Sequence, residues 1–110
     1  MEPQEFKIYK DDTPARKVYI SGKITGQTDE FVAAKFSEAE RYISAFKMQP
    51  VSPLKNGLPK DASYKEHMRR DLQMLSECQT ILMLPDWKSS PGACEELQYA
   101  YTNGIEILFL

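Results

Sequence analysis

A continuous apolar stretch decides the fold of this chain: TILML, residues 80–84. Strands that are covered on both faces of a parallel sheet have such uninterrupted apolar runs. Strands with one face exposed to solvent alternate apolar and polar residues instead. Segments with the apolar spacing of helices lie on both sides of it, beginning near Ser63 and Ser90. A buried strand between two helices is typical of an α/β protein.

Both flanking helices have sequence signals for where they begin. Ser63 is a favoured N-cap residue, and Glu66 three residues later completes a capping box. Ser90 is a second N-cap, and Pro91 suits the first helical position. Gly104 is placed to end the second helix in the left-handed conformation. The apolar spacing predicts these buried faces: Met68, Leu72 and Leu75 in the first helix, and Ala93, Leu97, Ala100 and Tyr101 in the second.

The N-terminal half adds a strand, a helix and a second strand. The run KVYISG at residues 17–22 is β-branched and aromatic and ends at glycine, which predicts a buried strand. Thr28 or Asp29 can cap the helix that follows. Residues 48–51 predict a short strand interrupted by a proline, and residues 105–110 predict a final apolar strand. The predicted buried stripe of this helix is Val32, Phe36, Ala39, Ile43 and Phe46.

The alternation of strands and helices predicts a three-layer, doubly wound parallel sheet of the flavodoxin-like or Rossmann-like class. About four strands would have helices on both faces, within a domain that spans residues 17–110. Residues 1–16 are interpreted as a lead-in, in which EFKIY can add an edge strand. Ligands of such sheets bind beyond the carboxyl ends of the strands. We therefore expect a site in the loops at residues 21–28, 52–62 and 85–92.

Composition excludes several function classes. The formal net charge is −2, and no basic patch suggests a nucleic acid polymer as a partner. No apolar stretch approaches the length that crosses a membrane, so no membrane partner is expected. Cys78 and Cys94 lack metal-ligand spacing and are interpreted as reduced thiols near the core of a cytoplasmic protein. No metal or other cofactor is predicted.

Two carboxylates are candidates for chemistry at this edge of the sheet. Glu96 borders the apolar stripe of the last helix near its start, where a carboxylate is partly desolvated. The alternative is that Glu96 faces water. Asp71 lies at the boundary of the apolar face of the preceding helix. The alternative interpretation of Asp71 is an ion pair with basic residues of the same helix. Two carboxylates near one pocket suit N-glycoside chemistry, where one acts on the sugar and the other manages the proton of the base.

Several residues of the predicted loops are candidates for substrate binding. Those after the first strand are Ser21, Gly22, Lys23, Ile24 and Gly26, whose backbone can approach a sugar or a phosphate closely. Ser90 and Gly92 open a helix whose N-terminus can hold an anion, although capping alone explains Ser90 equally well. Trp87 is expected to be exposed, where it could stack on a base or serve an interface. His67, which stands alone in the sequence, is interpreted as a surface residue.

Three of these motifs, in this order, resemble the nucleoside 2-deoxyribosyltransferase superfamily. In that family a first strand ends in an aromatic residue, a short step and a glycine, as residues 18–22 do here. An Asp-Leu pair then precedes an apolar strand, which corresponds to Asp71-Leu72. A turn of the pattern Gly-Ala-x-x-Glu follows, which corresponds to residues 92–96.

The resemblance implies a role for each matching position. Glu96 would be the nucleophile, and Asp71 would assist the departing base. Tyr19 would orient the nucleophile through its hydroxyl group, and Gly22 with its loop would line the sugar site. The family also implies a homodimer or larger assembly, because a neighbouring subunit contributes a residue to each site.

Two departures from the family pattern refine these expectations. The transferases often have an aspartate six residues before the glutamate, and that position is Ser90 here. The related deoxynucleoside 5′-monophosphate N-glycosidases have serine there as a phosphate contact, which favours nucleotides. Family members also continue past the last strand, and the neighbour's residue comes from that continuation. A chain that ends at Leu110 would lose or replace this contribution, as a divergent or inactive member would.

The resulting hypothesis is an enzyme that cleaves or transfers the N-glycosidic bond of a small-molecule nucleoside or nucleoside 5′-monophosphate. The reaction would pass through a covalent glycosyl-enzyme on Glu96. Two alternatives stay open. One is a catalytically inactive module that binds a nucleotide with the same fold, and the other is a structural or interaction protein whose exposed aromatic residues mediate assembly.

Overall fold

The computed structural model describes residues 14–110, which form a four-stranded parallel sheet with helices on both faces. The elements in chain order are β1 Lys17–Ser21, α1 Asp29–Ala45, β2 Gln49–Val51, α2 Tyr64–Ser76, β3 Thr80–Met83, α3 Pro91–Thr102 and β4 Glu106–Phe109. Short 3-10 helices at Pro53–Lys55 and Trp87–Ser89 lie in the loops after β2 and β3. The predicted fold class is confirmed. The edge strand considered for EFKIY lies outside the described residues.

The order of the strands is β2-β1-β3-β4, and every neighbouring pair is parallel. The chain builds outward from β1 to β2 and then returns to the other side of β1 to form β3. The direction of building therefore reverses between β1 and β3, whose register pairs Val18 with Thr80 and Ser21 with Met83. A crevice opens beyond the carboxyl ends of strands at such a reversal. The loops after β1 and β3 flank this crevice.

Alternate residues of β1 face the two opposite layers of helices. Val18 and Ile20 pack in the core that α1 covers, while Tyr19 packs in the core beneath α2 and α3. Ser21 lies two residues after Tyr19 and therefore faces the same layer. The first core contains Val18, Ile20, Val32, Phe36, Ala39, Ile43, Leu82 and Leu84. The second contains Tyr19, Leu75, Cys78, Ile81, Met83, Ala93 and Ala100.

The helices of the described residues begin where the capping residues predicted. Thr28 accepts a hydrogen bond from the backbone of Phe31, and Ser90 caps α3 in the same way. Ser63 and Glu66 make both hydrogen bonds of the predicted capping box. Side-chain caps of this kind stabilise a helix by about 1 kcal/mol each. None of the helices within residues 14–110 has the length and apolar character needed to span a membrane.

The predicted burial of Phe46 is wrong. Its side chain is 60% exposed and packs edge-on against the ring of Tyr42, with the ring centroids 5.2 Å apart. Phe46 is the C-cap of α1, where the backbone leaves the helical conformation. The apolar stripe therefore ends at Ile43, one step before the periodic pattern does.

The predicted faces of α3 also need correction. Tyr101 is 76% exposed because it lies one residue, or about 100° of helix rotation, away from buried Ala100. Cys94 is exposed for the same reason, since it follows buried Ala93, while Cys78 is buried as predicted. The buried positions of α3 are Ala93, Ala100 and, between them, Glu96. A carboxylate thus occupies the stripe where an apolar residue is the norm.

Candidate functional site

The side chain of Glu96 lies inside the fold, beneath the carboxyl end of β1, and only 4% of the residue is exposed. The Ser21 hydroxyl donates a hydrogen bond to Oε1 at 2.6 Å, and the Tyr19 hydroxyl donates one to Oε2 at 2.6 Å. Both donors stand on one face of β1, so a single strand orients both oxygens of the carboxylate. The alternative that Glu96 faces water is wrong.

Burial raises the pKa of Glu96 from its ordinary value of 4.5 to about 7, because the ionised carboxylate loses its solvation. The hydrogen bonds from Ser21 and Tyr19 oppose this rise, and the charge of Asp71 adds to it. Burial, and then the charge of Glu96, hold the pKa of Tyr19 well above its usual range. The Tyr19 hydroxyl therefore keeps its proton and remains a donor. A carboxylate with such a shift beside a cleft is a candidate functional group.

Glu96 is part of the wall of a cleft of about 980 Å³, to which all three predicted loops contribute. This volume is near the upper end of the range for small-molecule sites. The predicted site residues that line it are Gly22, Lys23, Ile24, Gly26, Asp71, Ser90, Gly92 and Glu96. Tyr19 and Ser21 lie behind the wall and act on the cleft through Glu96. Within the described residues, no three His, Cys, Asp or Glu side chains are grouped to hold a metal ion.

Gly22 lies where β1 passes into the loop that lines the cleft. A Cβ atom there would lie 2.8 Å from Cδ1 and 3.0 Å from Cβ of Leu84. Any larger residue would have to displace Leu84, which belongs to the core under α1. Glycine therefore allows the backbone to pass directly over this core and reach the cleft.

Trp87 and Ser90 differ in how far they fit their predicted roles. Trp87 does not line the cleft, and its ring lies beside β4. It is half-buried, with its ring centroid 5.7 Å from that of Phe109, so the predicted exposure is wrong. Ser90 lines the cleft, and its hydroxyl oxygen also accepts the capping hydrogen bond from Ala93 at 3.1 Å. Both interpretations of Ser90 therefore stay compatible with its position.

Asp71 is buried in the wall of the same cleft, and its partner is an amide. Asn56 Nδ2 donates a hydrogen bond to Asp71 Oδ1 at 2.9 Å. In residues 14–110 Asp71 forms no ion pair, so the alternative of a bridge to basic residues of its own helix is wrong. Burial raises the pKa of Asp71, and the hydrogen bond from Asn56 opposes this rise. The two candidate carboxylates thus share one cleft.

Sequence reasoning missed Asn56 and misjudged His67, which both line the cleft. Asn56 Nδ2 lies 3.0 Å from His67 Nδ1, and Asn56 Oδ1 accepts a hydrogen bond from the backbone of Leu58. Arg70 Nε donates to the Asn56 carbonyl oxygen at 3.0 Å. His67 and Asp71 are four residues apart, which places both on one face of α2. This spacing could have indicated that His67 lies at the site. Asn56 offered no such signal, because its side-chain partners on α2 lie 11 and 15 residues away.

A half-buried ion pair holds the loop after β1 against the loop after β3. Lys35 Nζ donates to Asp86 Oδ2 and to the Lys23 carbonyl oxygen, both at 2.6 Å, and to Gln27 Oε1 at 2.7 Å. The backbone N–H of Lys23 donates to Asp86 Oδ1 at 3.1 Å. Burial alone would raise the pKa of Asp86, but the hydrogen bonds from Lys35 and Lys23 outweigh it and lower that pKa. Lys35 and Asp86 therefore fix a wall of the cleft without lining it.

Replacing Lys35 by methionine is expected to lower the free energy of unfolding by about 2 kcal/mol, because Asp86 and two carbonyl groups lose a charged donor. Urea unfolding measures this change. The matched control is Lys55→Met, which removes a pair with Glu40 whose lysine side chain is 72% exposed. The control is expected to cost about 0.5 kcal/mol or less. Equal losses in the two variants would contradict the structural role of Lys35.

A family model described as "Domain of unknown function (DUF4406)" matches residues 16–109 of the chain. No curated protein matches the sequence. Among solved structures, the chain is similar to a 2-desoxiribosyltransferase from Leishmania mexicana, with 18% identity and a TM-score of 0.67. It is also similar to a conserved protein from Enterococcus faecalis V583, with 22% identity and a TM-score of 0.66.

Each of these two matches covers 86% of the present chain. The chain in turn spans 63% of the Leishmania protein and 62% of the Enterococcus protein, which is less than two thirds of either. Likeness at these identities establishes a shared fold. The fold that the motif resemblance implied is therefore confirmed, and activity has to be argued from the site.

Proposed function

The chain belongs to the family described as Domain of unknown function (DUF4406), and from this premise we propose that it acts on the N-glycosidic bond of a deoxynucleoside or its 5′-monophosphate. The observation that carries the proposal is the Glu96 carboxylate, which is buried at a cleft and oriented by two hydroxyl groups. The fold shared with a 2-desoxiribosyltransferase supports this choice of substrate class.

In the first step, an oxygen of Glu96 attacks C1′ of the sugar. The new bond to C1′ forms as the bond from C1′ to the base nitrogen breaks, and its electron pair passes to the base. Asp71, which is buried in the wall of the same cleft, donates a proton to the departing base. Tyr19 and Ser21 hold both oxygens of the attacking carboxylate in one orientation before the substrate binds.

In the second step, water or another base attacks C1′ of the glycosyl ester. The ester bond breaks and returns its electron pair to Glu96 as a carboxylate, while the attacking group passes a proton to Asp71. Attack by water makes the protein a hydrolase, and attack by a base makes it a transferase. The residues that carry the reaction are the same in both cases.

The N-terminus of α3 supports a preference for nucleotides. Ser90 and Gly92 line the cleft at the start of this helix, where free backbone N–H groups and the helix dipole favour a phosphate. Two further parts complete the proposal. The reduced cysteines support a cytoplasmic location, and the family resemblance supports assembly into a homodimer or larger oligomer.

The test is to incubate the protein with 2′-deoxynucleosides and their 5′-monophosphates and to measure free base by chromatography. The expected result is base release, with a covalent glycosyl adduct on Glu96 detected by mass spectrometry of the intact protein. Thermal stabilisation by a nucleotide without any release would favour the inactive binding module. Neither release nor stabilisation, with a folded protein, would remove the proposal.

A further inference from the structure

The amide of Asn56 has only one orientation that its neighbours allow. The backbone N–H of Leu58 donates to Asn56 Oδ1 at 3.0 Å, and Asn56 Nδ2 faces Asp71 Oδ1 at 2.9 Å. Turning the amide around would set its N–H₂ group against the N–H of Leu58 and its oxygen against the Asp71 carboxylate. Both contacts would be lost, so the N–H₂ group of Asn56 points toward α2.

This orientation decides which nitrogen of His67 carries the proton. Asn56 Nδ2 has two hydrogens, of which one goes to Asp71 and the other to His67 Nδ1 at 3.0 Å. A ring nitrogen that accepts a hydrogen bond carries no proton, so the proton of the neutral ring lies on Nε2. His67 is thus held as an Nε2–H donor.

The donor of His67 is available to a ligand. His67 lines the cleft one helical turn before Asp71, and within residues 14–110 its Nε2 atom has no hydrogen-bond partner. Its Nδ1 atom is occupied by Asn56, so the free nitrogen lies on the other side of the ring. In the proposed reaction the leaving base lies beside Asp71. Among the residues of α2 that line the cleft, His67 has the polar side chain nearest to Asp71 along the helix.

We propose that His67 determines base specificity by donating its Nε2–H to an exocyclic oxygen of the base. This inference rests on the proposed function, which places the base next to Asp71. An amino group at the same position would set one N–H against another and leave the His67 donor unpaired in the cleft. Sites that hydrogen-bond a substrate group discriminate strongly against analogues that cannot pair. Oxo-bases are therefore preferred over amino-bases by about 10- to 100-fold.

Binding of free bases tests this inference without any need for turnover. Calorimetry at about pH 8 gives Kd for two matched pairs, hypoxanthine against adenine and uracil against cytosine. The wild type is expected to bind the oxo member at least about tenfold more tightly in at least one pair. His67→Phe is expected to bring this ratio to about 1, mainly by weakening the oxo-base. Lys65→Ala, on an exposed position of α2 outside the cleft, is the control and should keep the ratio.

A second measurement uses the wild type alone, in case His67→Phe does not fold. The chain contains a single histidine, so the ring signals in a nitrogen-15 spectrum belong to His67 without further assignment. Its Nε2–H signal is expected to move on titration with the preferred oxo-base and to move little with the matched amino-base.

The outcomes separate this inference from the proposed function. A preference for the oxo-base that the folded His67→Phe variant loses, or the selective movement of the Nε2–H signal, supports the inference even if no nucleoside is cleaved. Equal binding within both pairs, an unchanged ratio in folded His67→Phe, or no binding of any base overturns it even if cleavage is observed.

Discussion

Replacing Glu96 by glutamine is expected to lower the rate of base release by about 10⁴-fold or more. Glutamine has the same shape and can still form hydrogen bonds with Tyr19 and Ser21, but it has no anionic oxygen to attack the sugar. Positioning by the cleft accounts for whatever rate remains. The measurement compares kcat/KM of the variant and the wild type on the substrate that is cleaved fastest, together with the loss of the covalent adduct.

The same substitution is expected to stabilise the fold above neutral pH. The folded-state pKa of Glu96 is about 7, above the ordinary value of 4.5 that applies to the unfolded chain. The contribution of Glu96 to stability is therefore complete below about pH 4.5 and is lost as the pH rises through 7. A shift of this size corresponds to about 3 kcal/mol for the buried charge, which Glu96→Gln lacks. Urea unfolding should show a gain of about 1–3 kcal/mol at pH 8 and a smaller gain at pH 5.

The control for both effects is Glu95→Gln. Glu95 is the exposed neighbour of Glu96, and it accepts a hydrogen bond from the hydroxyl of Tyr64 instead. Its substitution is expected to change the rate by no more than about threefold and the stability by about 0.5 kcal/mol or less. If Glu96→Gln retained a tenth of the wild-type rate, Glu96 would not be the nucleophile. A stability gain that is the same at pH 5 and pH 8 would show that the buried charge is not its source.

Asp71→Asn is expected to lower kcat/KM by about 10²- to 10⁴-fold, the range for the loss of a general acid. Asparagine keeps the shape of the side chain and can still accept the hydrogen bond from Asn56. It cannot release a proton to the departing base. The loss should therefore be largest for bases that leave poorly without protonation and smallest for bases that leave readily as anions. Steady-state rates on a series of nucleosides with different leaving bases measure this trend.

The matched control is Asp61→Asn, a substitution of the same kind at an exposed position outside the cleft wall. It is expected to leave all rates within about threefold of the wild type. A loss in Asp71→Asn that is equal for every leaving base would assign Asp71 to positioning and not to proton transfer. No loss for any base would remove Asp71 from the mechanism.

The start of each helix in the described residues was predictable because capping depends on residues within one helical turn. Thr28, Ser63 and Ser90 each accept the hydrogen bond that their sequence context predicts. The burial of Phe46 was mispredicted because a periodic pattern does not report where the helical backbone ends. The pattern continues through Phe46, but the helix stops one residue earlier.

The position of the cleft was also predictable, because an alternation of strands and helices leads to a parallel sheet with its loops at one edge. The carboxylates of Glu96 and Asp71 were found by their places beside apolar stripes. These positions did not show whether each carboxylate faces water or forms a hydrogen bond with another residue. Trp87 shows that a residue in a loop at the site need not direct its side chain into the site. Its loop borders the cleft, but its ring packs beside Phe109.

Local sequence was thus sufficient for the order of the elements, their starts and the loops that form the cleft, since each depends on neighbouring residues. The hydrogen bonds within the site required the folded chain. Ser21 lies 75 residues from Glu96 along the sequence, and Tyr19 lies 77 residues away. Such contacts form only when two atoms come within about 3 Å of each other. The packing of α3 against β1 sets that distance, and no pattern within one segment contains it.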